Sequence, residues 1–398
     1  MFKWTKNIGP GTLVAAAFIG PGTVTLCTIS GAQFGFALLW AMVLSILATI
    51  ILQEMAARVG IITQMGLTAV IKKQIPSPLF KNLAMTLILG AVVIGNAAYE
   101  AGNISGAALG ITAIAGKSLA SYYPIIIGLI AFILLSFGNY KILERSLIGL
   151  VLLMSFSFIV TAIITKPDIT EMLKGMFIPT IPQNSTLVII GIIGTTVVPY
   201  NLFLHASLVK EKWNKESDLS YARKDIFISI ILGGMVSMAI MVSAATISGT
   251  GIKNVLDLAK GLEPLYGSTA NYFLGVGLFA AGITSAITAP LAAAYVARSC
   301  FGWENSLKDK KFKMVWTTIL VLGVLFSSLH FKPIQIITFA QIANGLLLPI
   351  VALFLLWVVN KTAVLGKFKN TNIQNVFAII IILITIILGV KGIISAFS

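Results

Sequence analysis

The chain contains 398 residues, of which 58% are hydrophobic and 10% are charged, and its mean hydropathy is +0.98. This composition excludes a soluble globular protein and indicates an integral membrane protein whose main partner is the lipid bilayer. Lys and Arg at the cytoplasmic ends of membrane helices explain the net charge of +15, so no nucleic-acid partner is expected. Cys27 and Cys300 lie in or near apolar segments and form neither a disulfide framework nor a metal-ligand spacing.

Eleven apolar segments are long enough to cross the hydrocarbon core of a bilayer. They cover residues 7–31, 36–58, 82–114, 122–138, 142–165, 186–210, 225–248, 268–300, 312–330, 333–360 and 374–397. A cytoplasmic N-terminus places most of the 28 Lys and Arg residues in the inner loops. The positive-inside rule therefore predicts a multi-pass plasma-membrane protein with a cytoplasmic N-terminus and an outer C-terminus.

Two of these segments contain helix-breaking residues near their middle. Gly20, Pro21 and Gly22 occur together in the first segment, and Pro199 falls about halfway across the sixth, GTTVVPYNLFLHASLV. Proline removes a backbone donor and glycine lowers helix stability, so both segments are predicted to be broken helices. Non-helical backbone at this depth is tolerated only where protein buries it or where it lines a water-filled cavity.

The broken segments occupy equivalent places in two similar halves of the chain. Segments one to five (about residues 7–165) and six to ten (about 186–360) each begin with a broken helix, and a further helix follows at about 374–397. Because each half crosses the membrane an odd number of times, the second half is inverted. Interrupted helices at matching positions of inverted halves indicate the central site of a secondary transporter. The sequence thus predicts one all-α transporter domain over residues 1–398.

Motifs of an enzyme are absent from the sequence. It contains no HExxH, GxSxG or Walker pattern and no Cys/His cluster, and its two histidines leave little equipment for acid–base chemistry. We therefore expect the chain not to be an enzyme, and no cofactor is expected.

The third segment carries polar side chains on one face. Asn96, Glu100 and Asn103 recur at i, i+4 and i+7, which is one side of an α-helix. An acid inside a membrane span is costly and usually functional, although a neutral glutamate that joins two helices is the alternative. These residues and His205, which lies just past the break in the sixth segment, form a candidate polar pathway for a coupling ion; a packing role for His205 is the alternative.

At both breaks the chain resembles the Nramp family of divalent-metal transporters. GPGTLVAAAFIGPGTVTLCTISGAQFGFALLW is similar to the surroundings of the family's Asp-Pro-Gly-Asn motif, and TTVVPYNLFLHASLV to those of its Met-Pro-His motif. GLFAAGITSAIT and AQIANGLLLPIVALFLLW fit the family's eighth and tenth helices. The resemblance covers almost the whole chain. It implies a LeuT-type fold of eleven transmembrane helices, with two inverted five-helix repeats and broken helices one and six.

The chain departs from the family at the residues that bind metal. The departures are Gly20 in place of Asp, Thr23 in place of Asn, Val198 in place of Met, Tyr200 in place of His and Ala97 in place of Asp. Three family residues are retained, namely Glu100, His205 and Gln341. The resemblance thus implies that the scaffold is kept while the metal-coordinating side chains are lost.

The predicted substrate site lies between the two breaks and lacks carboxylate and thioether ligands. Its candidate residues are Gly20, Gly22, Thr23, Thr195, Thr196, Val198, Tyr200, Asn201 and Gln341. Such a site would hold a bare transition metal poorly, whereas a hydrated Mg²⁺ or Mn²⁺ needs only hydrogen-bond acceptors. The resemblance therefore implies a secondary active transporter that moves a divalent metal ion by alternating access, with this central site as the place for any metal.

The same chemistry leaves a second class of substrate open. The helix that begins at Gly22–Thr23 offers free N–H groups and a positive dipole end, which suit the carboxylate of an amino acid or small organic acid. In the eighth segment, Thr284 and Ser285, together with the Gly20 carbonyl, form a candidate Na⁺ site; back-bonding to their own helix is the alternative. Divalent metal, H⁺ and Na⁺ all stay open as transported or coupling ions. The oligomeric state is open too, and a monomer is compatible with the sequence.

Overall fold

In the computed structural model the chain folds into a bundle of α-helices, and no β-strand occurs in the part of the chain that the structure describes. That part comprises residues 19–137, 141–246, 255–303, 309–329 and 331–397. The beginning of the first predicted segment, residues 7–18, lies outside it. The long helices are α1 (Pro21–Phe34), α2 (Leu39–Thr63), α3 (Pro78–Ala115), α4 (Tyr123–Phe137), α5 (Lys141–Ile164), α6 (Thr186–Thr196), α7 (Pro199–Lys212), α8 (Leu219–Ala245), α9 (Ala270–Phe301), α10 (Lys310–Ser327), α11 (Pro333–Val359) and α12 (Asn372–Phe397).

These helices match the predicted apolar segments in order, with bounds that differ by a few residues. The sixth segment forms both α6 and α7. Within the described ranges, eight helical segments are long and apolar enough to cross a membrane. α1 and α4 have 14 and 15 residues, and α10 begins with the charged sequence KKFK. The multi-pass architecture is confirmed, while the count of eleven transmembrane helices stays a prediction.

Proline and glycine set the ends of several helices. α1, α3, α7 and α11 each begin with proline, whose missing N–H would have no helical partner at that position. Gly35 and Gly116 follow α1 and α3 with φ of +57° and +82°, in the left-handed region that glycine favours. The Gly35 amide donates to the Gly31 carbonyl at 2.9 Å and so satisfies one of the last carbonyls of α1.

α3 is the central helix of the bundle and packs extensively against α9, α11 and α10. Small residues bring the backbones of α3 and α9 into contact. A Cβ added to Gly282 would lie 2.8 Å from the Asn103 carbonyl oxygen and 2.7 Å from the Ala107 amide nitrogen. A Cβ added to Gly275 would lie 2.9 Å from the Gly110 carbonyl oxygen. Small residues at helix interfaces are the usual route to such close approach in membranes.

We expect Gly282→Ala to destabilise the protein by about 1–3 kcal/mol, because the added methyl would push apart two backbones that cannot yield locally. Gly90→Ala is the matched control, since a Cβ at Gly90 meets no atom within 4 Å. Thermal unfolding in detergent should show a lowered midpoint for the first variant alone. Equal midpoints for the two variants would contradict the close approach of α3 and α9.

Candidate functional site

The sixth predicted segment is broken at the expected place. α6 ends at Thr196, Val197 and Val198 have non-helical dihedral angles, and α7 begins at Pro199. Because Pro199 has no N–H, the Thr195 carbonyl lacks the donor that a continuous helix would give it. The prediction of a broken sixth helix is therefore confirmed.

The described part of the first segment begins at its predicted break, and Gly20 is not helical. This residue is extended, with φ −100° and ψ −175°, and α1 begins at Pro21 with no side-chain hydrogen bond to cap it. The N–H groups of Gly22 and Thr23 lie in the first turn of α1. The helix therefore starts where the break is predicted, and the preceding half of the segment lies outside the described residues.

A hydrogen bond joins the two breaks directly. The hydroxyl oxygens of Thr23 on α1 and Thr195 on α6 are 2.9 Å apart, although the residues are separated by 172 positions in sequence. Both side chains are fully buried. The structure thus brings the two predicted halves of the site together.

Helices α3 and α11 cover the breaks. A Cβ at Gly22 would overlap the Gln341 amide of α11, and a Cβ at Gly106 of α3 would overlap the Pro21 ring. Gly194, in the last turns of α6, lies equally close to the Gln341 carbonyl. Because glycine leaves this space free, Gln341 contacts both broken segments. The irregular backbone is thereby enclosed by protein, as the bilayer requires.

The remaining residues of the predicted site are also buried. The Tyr200 ring packs edge-on against Tyr99 of α3, with ring centroids 5.6 Å apart. Val198 and Asn201 are each 1% exposed, and Gly20 is buried. Thr196 is also buried, but its hydroxyl donates to the Ile192 carbonyl of its own helix at 2.9 Å. The predicted substrate site is therefore closed to solvent in this conformation.

Several buried polar atoms at the site have no hydrogen-bond partner among the described residues. They are both amide atoms of Asn201, Gln341 Oε1 and Asn344 Nδ2. Buried polar groups are normally paired, because leaving one unpaired costs about 1–3 kcal/mol. Within the described chain no group of three or more His, Cys, Asp or Glu residues is placed to hold a metal ion. The site thus offers neutral polar groups to a ligand.

The polar face of the third segment lies beside the breaks rather than between them. Asn96 donates to the Ala289 carbonyl of α9 at 2.8 Å. Glu100 packs against Gly323 of α10, where an added Cβ would lie 3.0 Å from the Glu100 Cβ. Asn103 donates to Glu100 Oε2 at 3.3 Å, and Oε1 has no partner in the described part of the chain. These three residues form one cluster facing α9 and α10, and their role in a coupling pathway stays a prediction.

His205 lies further along α7 and contacts α2. Its Nδ1 forms a hydrogen bond with Gln53 Oε1, both residues are buried, and its Nε2 has no partner among the described atoms. Sequence reasoning missed Gln53, although an amide in the apolar run of α2 is an available signal. The hydrogen bond of His205 Nδ1 is compatible with a packing role for His205 and with a place in the predicted polar pathway for a coupling ion.

The candidate sodium residues differ from each other. The Thr284 hydroxyl donates to the Ala280 carbonyl at 2.8 Å, which is back-bonding to its own helix. The Ser285 hydroxyl is buried and has no partner in the described ranges. Donation uses the hydroxyl hydrogen of Thr284 and leaves its oxygen lone pairs for a cation, so both hydroxyls could serve as ligands and the sodium site stays a prediction.

Sequence reasoning also missed the face of α3 that contacts the breaks. Gly95, Tyr99, Gly102 and Gly106 recur at helical spacing on this face. Gly102 lies against α11, where an added Cβ would be 3.1 Å from the Ala340 Cβ, and Gly95 lies near Asn344. The periodic glycines were the available signal, since small residues mark close helix approach.

Solved structures share this arrangement of helices. The Eremococcus coleocola manganese transporter in complex with an aromatic bis-isothiourea substituted compound superposes with a TM-score of 0.80 at 21% identity, over 99% of this chain and 88% of that one. MhsT in complex with L-phenylalanine superposes with a TM-score of 0.61 at 17% identity, over 97% and 98% of the two chains. The fold is that of the LeuT-type membrane transporters.

The sequence comparisons define the family within that class. The sequence model described as natural resistance-associated macrophage protein-like matches residues 11–395, and the chain belongs to this Nramp family. The divalent metal cation transporter MntH of Erwinia tasmaniensis is 25% identical over 393 residues, which cover 96% of this chain and 92% of that protein. The MntH of Yersinia pestis is 27% identical over 397 residues, covering 98% and 94%. Nramp proteins are membrane transporters, so the prediction that the chain is not an enzyme is confirmed.

The Thr23–Thr195 contact predicts energetic coupling between the two breaks. We expect Thr23→Val and Thr195→Val each to lower stability by about 1–2 kcal/mol, and the double variant to cost about 1 kcal/mol less than their sum. Thr196→Val with Thr23→Val is the matched control pair, because the Thr196 hydroxyl bonds within its own helix. Chemical unfolding in detergent measures both cycles. Strict additivity in the Thr23–Thr195 pair would show that the contact does not join the breaks.

Proposed function

We propose that the protein is a secondary active transporter of a divalent metal cation that keeps part of its water shell in the central site. Two observations support the metal as cargo: membership of the Nramp family and similarity to the divalent metal cation transporters named MntH. Binding of a hydrated rather than a bare cation is supported by the buried neutral groups without a partner at the junction of the two breaks.

Neutral ligands favour a hydrated cation over a bare one. Neither broken segment, residues 7–31 or 186–210, contains an Asp or Glu. Mg²⁺ and Mn²⁺ lose their water reluctantly and are normally compensated by at least one carboxylate when they do. The bound waters of a hydrated ion instead donate hydrogen bonds, and Asn201 Oδ1 and Gln341 Oε1 are acceptors without a partner in the described chain.

Transport requires the closed site to open towards each side in turn. The non-helical residues at Gly20 and at Val197–Val198 are the natural hinges, because they interrupt the two segments that contact the cargo. In this proposal residues 1–398 form one transport domain of two inverted repeats in the plasma membrane. The positive-inside pattern supports a cytoplasmic N-terminus and an outer C-terminus, a monomer is compatible with the sequence, and no nucleic-acid partner is expected.

An organic solute with a carboxylate is the second candidate. It is favoured by the start of α1, which is buried and has no side-chain cap at its N-terminus. The positive end of a helix dipole attracts carboxylates, and no acid in the broken segments would repel one. The MhsT structure shows that the same fold is found with L-phenylalanine bound.

Uptake into proteoliposomes separates the two candidates. The assay uses ⁵⁴Mn²⁺, Mg²⁺ with an internal indicator, and a panel of radiolabelled amino acids and small carboxylates, each with and without Na⁺ and with a pH gradient. The proposal expects divalent cation uptake that excess amino acid does not inhibit. Uptake of an organic acid without any divalent cation would replace the proposal by the second candidate. Dependence on Na⁺ would support the site at Gly20, Thr284 and Ser285.

Restoring the family's ligands should strengthen metal binding. We expect Gly20→Asp combined with Val198→Met to raise Mn²⁺ affinity roughly tenfold, or about 1.4 kcal/mol, because a carboxylate and a thioether replace two non-coordinating residues. The extended backbone of Gly20 accepts any side chain, so the change introduces no backbone strain. Isothermal titration calorimetry measures the affinity, and Gly20→Asp with Val197→Met is the matched control. Tight Mn²⁺ binding by the unaltered protein would contradict the neutral site.

Glu100 is proposed to take part in coupling. Glu100→Gln keeps the shape that packs against Gly323 but removes the group that can gain or lose a proton. We expect uptake to fall several-fold and its pH dependence to flatten. Glu171→Gln is the control, because Glu171 is an exposed acid outside the bundle that pairs with Lys174. Unchanged rate and pH profile in Glu100→Gln would leave Glu100 with a packing role only.

A further inference from the structure

A groove of about 420 Å³ opens on the outside of the bundle between α2 and α8. Its apolar walls include Ile50 of α2 and Phe227 and Ile228 of α8, and its charged end includes Glu54, Arg223 and Lys224. Phe227 and Ile228 are each more than half exposed. None of the residues that line the groove belongs to the proposed transport site.

Charged and apolar side chains are arranged in register along the groove. On α8, Arg223 precedes Phe227 by four residues and Lys224 precedes Ile228 by four, so each cation lies one helical turn, about 5.4 Å, from an apolar side chain. On α2, which runs in the opposite direction, Ile50 lies one turn deeper than Glu54. All three charged groups are therefore at the membrane-surface end and all apolar ones lie deeper.

The charges at that end do not cancel. Glu54 is shared, at 3.0 Å from Arg58 and at 2.9 Å from Arg223. Arg58 is itself buried and also donates to the Phe368 carbonyl at 2.8 Å. One carboxylate thus faces two guanidinium groups, and Lys224 has no ion pair among the described residues.

Helix α8 adds to this positive character. The helix has 27 residues and its N-terminus, at Leu219, lies one turn from Arg223. The positive end of its dipole therefore points towards the charged end of the groove. Of the nearby acids, Asp218 accepts a hydrogen bond from the Lys215 amide and Asp225 is buried in the bundle. Neither Asp218 nor Asp225 lines the groove, and the exposed charges that do line it, on Arg223 and Lys224, are cationic.

We propose that this groove binds one anionic phospholipid, with its phosphate on Arg223 and Lys224 and an acyl chain along Phe227, Ile228 and Ile50. A lipid is the occupant because the apolar part of the groove lies on transmembrane helices, where acyl chains are the solvent. The anionic class follows from the charge, since a phosphate complements the guanidinium that Glu54 shares and the unpaired ammonium beside it. The bound phosphate would compete with Glu54 for Arg223 and leave Glu54 to Arg58.

Native mass spectrometry and thermal unfolding of the full chain in detergent test this site. The probes are phosphatidylglycerol, phosphatidylcholine with the same acyl chains, and glycerol phosphate. We expect one retained phosphatidylglycerol and a raised unfolding midpoint, with neither effect for phosphatidylcholine or for glycerol phosphate. The double variant Arg223→Gln with Lys224→Gln should retain phosphatidylglycerol at least threefold less than the unaltered protein. Lys117→Gln with Lys332→Gln removes the same charge at the other end of the bundle and should change nothing.

Two further variants keep the test decisive. Lys224→Gln alone leaves the Glu54 ion pairs intact and should still reduce retention, so the outcome does not depend on folding of the double variant. Phe227→Asn, at an exposed position, should weaken the lipid through its acyl chain. Equal retention of phosphatidylglycerol in all variants, or equal retention of phosphatidylcholine by the unaltered protein, would overturn the proposal.

Discussion

The bilayer leaves no water for an unpaired backbone group, and this constraint decides where the chain can be irregular. Both breaks therefore lie at one place, joined by the hydrogen bond between Thr23 and Thr195 and covered by α3 and α11. The backbone contact between α3 and α9 fixes the position of α3. Helix α3 in turn covers the breaks. A site at this junction is the natural result, because freed backbone groups are tolerated only where a ligand or protein can meet them.

The family scaffold and its metal chemistry are separable in this chain. The close contact between Gly22 and Gln341 and the hydroxyl pair at the breaks form without a carboxylate or thioether. Packing of small residues against an amide holds the two broken helices in place. The scaffold therefore closes without an acid in either broken segment, and in the proposed function Gly20 and Val198 help to define the cargo.

Hydropathy and proline predicted the segments and the broken sixth helix, because the length of a membrane span and the missing proline donor act locally. The contacts that form the site join residues far apart in sequence, and the sequence alone does not predict them. Helical spacing placed Glu100 on a face of the third segment but could not show that α10 covers it at Gly323. Similarly, nothing in the sequence around Tyr200 indicates that its ring meets Tyr99. Periodicity identifies a face, whereas its neighbour depends on how the helices assemble.

The neutral centre also determines where membrane voltage acts. Voltage does work only on charge that crosses the field, at about 2.3 kcal/mol per elementary charge per 100 mV. Because neither broken segment contains an acid, the empty carrier would move no carboxylate of the proposed substrate site when it resets. A divalent cation held by neutral groups instead brings its full charge to the loaded step. The membrane potential would therefore drive the movement of the cargo, and the return of the empty protein would be electrically silent when Glu100 is protonated.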